Sequence, residues 1–246
     1  MISYCGNPTE RPTVTFPSWD NRVPFKFATL STFQPIGLND YGKTCIIMVL
    51  TGAVSPVFVF CETGAGKERV WRKQDCNLTD PFGSGEHLQF INVIGFNRKF
   101  YAFRLQGTLA VIEEVDSSLR VTEKSSSRAV PSVISRQFRE ILVESDGEIL
   151  LIFLISKRSI KKVEDVEVYR LDIPKLLWVK MESLGHRTLF VKEECCMWIN
   201  GSKLGCRSNC IYFAQQVSGN RCLFDMQAKA ISPAPESNLF GIESLM

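Results

Sequence analysis

Four stretches of this chain repeat one order: a turn, a strand, a loop, a second strand carrying an acidic residue at its end, and a third strand. The first runs through Tyr41-Gly42-Lys43, Ile46 to Leu50, Val57 to Glu62 and Arg69 to Arg72. The second runs through Asn97-Arg98, Phe100 to Leu105, Leu109 to Glu113 and Leu119 to Thr122. Asp146-Gly147, Ile149 to Ile155, Val166 to Asp172 and Leu177 to Lys180 form the third; Ser208-Asn209, Cys210 to Phe213, Cys222 to Asp225 and Ala230-Ile231 form the fourth. The acids Glu62, Glu113, Asp172 and Asp225 are spaced by 51, 59 and 53 residues. A period of this size with three or four strands per unit is the sequence form of a β-propeller blade, kelch-type blades being about 50 residues long. Leu88 to Ile94, Ile141 to Val143 and Met197 to Ile199 supply a further, innermost strand for the blades they precede. The expected fold is all-β, a propeller of kelch-like blades with about four recognisable blades. A sandwich would show turns every 8 to 12 residues without the longer repeat and ranks second.

Helical spacing is scarce. One segment, Ser132 to Val143, has Pro131 ahead of it and Ile134, Phe138, Ile141 and Leu142 on a shared helical face, so its first half is expected to be a short helix. Residues 1–40 carry Pro8, Pro12, Pro17, Pro24 and Pro35 and are expected to be a loop-rich, partial blade; 41–235 hold the propeller, and 236–246 form a tail. Ser125-Ser126-Ser127 is a polar connection between blades. The longest uncharged stretch, Thr44 to Cys61, has Gly52 to Pro56 at its centre, so two buried strands and a loop fit it better than a membrane span.

Of the 246 residues, 29 are Lys or Arg and 26 Asp or Glu, a net charge of +3. That balance leaves no overall electrostatic footprint for nucleic acid or an anionic membrane. Nine cysteines, and no basic and apolar leader before them, fit buried thiols in a reducing compartment, the cytoplasm or nucleus. The sequons at Asn77 and Asn200 are then unused.

Three motifs invite chemistry. Thr63-Gly64-Ala65-Gly66-Lys67 lacks the first glycine and the final hydroxyl of a phosphate loop, with Cys61 and Glu68 in those places; a hairpin turn fits it better. Cys195-Cys196, Cys206, Cys210 and Cys222 lack the paired knuckle spacing of structural zinc. The basic run Lys157 to Lys162 is followed by Glu164, Asp165 and Glu167, which cancel its field, and it reads as a solvated loop. Trp71 and Trp178 take the same place in their blades and read as contacts between blades. With only two histidines, His87 and His186, and no nucleophile elbow, the sequence offers no catalytic, cofactor-binding or metal-binding residue.

Lys99 to Ile112, Leu142 to Leu151, Val168 to Asp172, Trp178-Val179-Lys180, Ser183 to Phe190 and Asn209 to Phe213 together resemble the plant F-box-associated β-propeller family. The resemblance covers about residues 40 to 235. Where that family reads Leu-Gly-Asp, this chain has Leu184-Gly185-His186, a departure expected to alter one turn. The resemblance implies a non-enzymatic module that presents a propeller face to a protein destined for ubiquitination, while a separate helical F-box binds the Skp adaptor of the ligase. Residues 1–40 contain no amphipathic helix that could serve as that F-box, so adaptor binding is not expected of them. The alternatives are a ligand-binding or catalytic propeller with a site in its central channel, or an organellar relative. The candidate inner strands, Gln89 to Val93 and Met197 to Asn200, offer amides and little else, which favours protein recognition by an unknown partner.

Overall fold

Tight antiparallel hairpins need residues that accept positive φ, and the chain supplies them where the repeats place turns. Asn97 and Arg98 have φ of 47° and 67°, Asp146 and Gly147 of 55° and 76°, and Asn209 of 59°. The computed structural model describes residues 27–31, 45–51, 57–63, 71–75, 90–104, 107–115, 118–125, 127–129, 131–132, 137–158, 162–192, 196–203, 206–215 and 218–235. They fall into two units, residues 1–128 and 129–246.

In the first unit, β1 (Phe27–Leu30), β2 (Cys45–Thr51), β3 (Val57–Thr63) and β4 (Arg72–Asp75) form one antiparallel sheet in chain order. β5 (Phe90–Phe96), β6 (Lys99–Arg104), β7 (Leu109–Val115) and β8 (Ser118–Lys124) form a second. Phe27–Leu30 lies in the stretch expected to be loop-rich, yet it pairs with Ile47–Leu50 as a member of the first sheet. The two sheets meet at their leading strands: Gly95 N–H donates to Thr29 Oγ1 at 2.9 Å and Arg98 N–H to the Ser31 carbonyl at 2.7 Å. Met48 packs there with Phe90, Val93, Phe100 and Ile112.

The second unit holds β9 (Gln137–Ser145), β10 (Glu148–Ser156), β11 (Asp165–Asp172) and β12 (Leu177–Lys180), again antiparallel in chain order. Every residue from Ile149 to Ile155 is buried, so this strand is covered on both faces, which accounts for its unbroken apolar run. Ile152 and Leu154 join Leu189, Ile211, Phe213 and Phe224 of the neighbouring sheet in one core. Burying each such side chain stabilises by about 1.5–3 kcal/mol. On the other face Phe138, Phe153 and Tyr169 form a diagonal of edge-to-face rings, with centroids 5.3 and 5.7 Å apart.

The last sheet departs from the simple meander. β13 (Arg187–Val191), β14 (Cys196–Asn200), β15 (Cys210–Ala214), β16 (Arg221–Asp225) and β17 (Ala230–Pro233) stand in the order β14-β13-β15-β16-β17. β13 runs parallel to β15, with Leu189 opposite Ile211, and antiparallel to β14. Met197 to Ile199 is therefore an edge strand, one strand removed from Cys210 to Phe213.

Of the stretch from Ser132 to Val143, residues 137–143 are strand, paired with β10 across a tight hairpin; residues 133–136, most of the half expected to be helical, lie outside the described residues. Trp71 stands directly before β4 and Trp178 is the second residue of β12, each in line with the residue that precedes its blade's acid, Glu62 and Asp172. Each acid sits in the strand expected for it, and two have a common task. Asp172 accepts the Lys175 N–H, and Asp225 those of Gln227 and Ala228, so both cap the turn that follows their strand.

Candidate interaction surface

The 129–246 unit carries two polar constellations that no local pattern announces. In the first, Glu167 is almost wholly buried on β11. Its carboxylate accepts the Ser132 N–H at 2.8 Å, the Tyr169 hydroxyl at 2.9 Å and Lys180 Nζ at 2.9 Å. Lys180 also donates to Ser132 Oγ at 2.9 Å, and Ser132 Oγ lies 3.2 Å from the Tyr169 hydroxyl. With Tyr169 giving its proton to Glu167, the Ser132 hydroxyl donates to Tyr169, and four hydrogen bonds close a ring. Burial pushes the Glu167 carboxyl up, but its three donors outweigh burial and hold it below the ordinary range. Burial pulls the Lys180 ammonium down, and its bond to Glu167 more than restores it, so it stays charged.

A serine and a lysine at this distance suggest nucleophilic catalysis, which requires a neutral lysine to take the hydroxyl proton. Lys180 is held as a cation and donates to Ser132, the reverse of that task. The ring instead fixes the segment entering β9 against β11 and β12. The acidic run after Lys157–Lys162 divides accordingly: Asp165 pairs with Lys157 at 2.8 Å, Glu164 accepts the Lys157 and Arg158 N–H groups, and Glu167 serves the ring.

The second constellation lies where the β9–β10 hairpin meets the start of β13. Arg187, buried, donates from Nε to the Leu184 carbonyl at 3.0 Å and from Nη1 to the Ser145 carbonyl and to Glu148 Oε2, at 3.1 and 2.7 Å. Glu148 also accepts from Arg170 at 3.1 Å. Burial raises the Glu148 carboxyl and the two guanidiniums lower it further, leaving it depressed. Around this clamp the sheets expose turns with fixed backbones. Gly185 has φ of 64° and Lys229 of 52°. Asn209 Oδ1 accepts from the Leu184 N–H at 2.7 Å and from the Ser183 hydroxyl at 3.0 Å. His186, at the family-departing position, places Nε2 3.4 Å from Asp146 Oδ2 across the two sheets. Arg207 pairs with Asp225, and Lys229 with Glu182. The result is a rim of rigid turns whose charges are paired while most of their side chains stay in solvent, a surface suited to recognition by shape and hydrogen bonding.

No group of three or more His, Cys, Asp or Glu stands close enough to hold a metal among the described residues. Cys61, Cys210 and Cys222 are buried free thiols, and burial pushes the Cys210 thiol up. Cys195 and Gly64–Lys67, the latter expected to be a hairpin turn, lie outside the described residues. No helix among them is long and apolar enough to cross a membrane.

Among the described residues, three four-stranded antiparallel sheets and a five-stranded one belong to one class: a β-propeller. Residues 4–236 match the family described as the KIB1-4 beta-propeller, and the chain belongs to that family. It is 27% identical over 163 residues to an F-box protein of Arabidopsis thaliana, covering 64% of this chain and 46% of that protein. It is also 27% identical over 158 residues to a putative F-box protein of the same plant, covering 63% of this chain and 40% of that one. The chain thus aligns with less than half the length of these relatives.

Proposed function

We propose that this chain is a non-enzymatic substrate-recognition propeller of the F-box type, and that the turn rim of its 129–246 unit, centred on Asp146, Arg170 and His186, contacts the protein it recruits. The observation that carries the reading is the family match over residues 4–236, together with relatives described as F-box proteins. The neutral pairing of the rim supports a protein partner over a polyanion. Free thiols in the sheets support a reducing compartment, cytoplasm or nucleus. The five prolines of residues 1–40 disfavour adaptor-binding helices in that stretch, which supports a role in recognition over one in adaptor binding.

The test is affinity purification from plant cells of the wild type beside the exposed rim variants Arg170→Glu and Lys229→Glu. A specific partner lost from both variants while the melting temperature is unchanged is the expected result. A partner retained by both places recognition elsewhere, and hydrolytic activity that survives in the same preparations would overturn the non-enzymatic reading.

A further inference from the structure

Two buried arginines in this chain are satisfied very differently. Arg187 meets two carbonyls and a carboxylate, the partner set a desolvated guanidinium requires. Arg104, 5% exposed at the end of β6, makes one side-chain hydrogen bond, from Nη1 to Thr108 Oγ1 at 3.4 Å. Among the described residues its buried Nε–H has no acceptor and no carboxylate pairs with it.

A second orphan lies at the same end of the sheet. The Arg104 N–H donates to the Thr108 carbonyl, the Leu109 N–H donates to Ser125 Oγ, and Ser125 Oγ donates to the Ser127 carbonyl. These contacts link Arg104 to Ser127 at one end of the sheet, and the Ser127 hydroxyl is also buried without a partner among the described residues. Buried polar groups without partners are rare, and an uncompensated buried cation costs several kcal/mol. The unengaged Nε edge of a guanidinium presents two parallel N–H groups, the fork that fits a planar carboxylate.

We propose that Arg104, assisted by the Ser127 hydroxyl, forms a carboxylate-binding subsite that takes an acidic side chain of a protein partner. The partner rests on the interaction reading above; the affinity for carboxylate does not.

Arginine-selective nuclear magnetic resonance of the whole chain tests it, with the Arg104 Nε–H signal assigned by its loss in Arg104→Lys. The probes are sodium acetate against sodium chloride at equal ionic strength, and a short glutamate-containing peptide against its glutamine counterpart. Acetate and the glutamate peptide are expected to shift the Arg104 signal and slow its exchange, while chloride and the glutamine peptide leave it in place. Ser127→Ala, which keeps the arginine and does not depend on Arg104→Lys folding, is expected to weaken acetate binding about fivefold, the equivalent of one hydrogen bond. No response to acetate overturns the subsite. A response to acetate without one to the glutamate peptide leaves the subsite standing and overturns its use by a partner.

Discussion

Glu167 shows how much one side chain can hold. It gathers a backbone N–H, a phenol and an ammonium, and its depressed pKa fixes the sign of its pH dependence. Its stabilising effect is complete above the ordinary glutamate value of 4.5 and is lost as pH falls through the lower folded value. Glu167→Gln is expected to lower stability at neutral pH by about 1–2 kcal/mol, a figure reduced by the solvent around Lys180, and to flatten stability between pH 5 and 3. Urea unfolding across that range checks both; a variant with the wild-type acid slope would show that other carboxylates govern it. At Gly201 the constraint is space. A Cβ there would lie 2.5 Å from Thr188 Oγ1, 2.8 Å from Ser208 Oγ and 3.0 Å from the Cys206 carbonyl. Thr188 is fully buried and bonded to the Arg207 carbonyl, so it cannot yield freely. Gly201→Ala should cost about 1–3 kcal/mol in the same assay, whereas Gly219→Ala, with nothing near its Cβ, should cost about 1 kcal/mol through its positive φ alone.

At the scale of elements, the strands that alternate or run apolar between turn residues were legible in the chain. Leu177–Lys180 is observed with the expected bounds, and Ile149 to Ile155 and Cys222 to Asp225 match to within a residue at each end. Local pattern was weakest where a strand is short: β13 went unassigned because only Leu189-Phe190-Val191 is apolar between Arg187-Thr188 and Lys192, and its partner β15 lies about 20 residues on. The candidate site was harder still. Ser132 and Glu167 are 35 residues apart, Arg187 and Glu148 39, and charged residues within strands look solvent-facing until the sheets are stacked. The Arg187 clamp joins two sheets, so Arg187→Met should cost roughly 2–3 kcal/mol, since Glu148 keeps Arg170 while the Ser145 carbonyl loses its donor. Arg170→Met, which removes only an exposed partner, should stay within about 1 kcal/mol. Equal losses in thermal and denaturant unfolding would contradict the clamp.

At the scale of the whole molecule, protection from solvent follows strand position within each sheet. Amide hydrogen exchange should be slowest in β10 and β15, whose apolar residues are buried, and fastest in β12 and β17, where one row of backbone groups faces outward. Fast exchange in β10 would contradict the two-sided burial of that strand. The parallel placement of β13 beside β15 also bears on the order in which the polypeptide can acquire its structure. As the chain leaves the ribosome, β9 to β12 can zip up one after another, each strand meeting a neighbour just synthesised. β13 has only β14 for company until the loop after Asn200 has been made and β15 reaches its opposite edge. During that interval Leu189, Phe190 and Val191 lack the β15 neighbours that later bury them, an exposed apolar edge of the kind a chaperone binds.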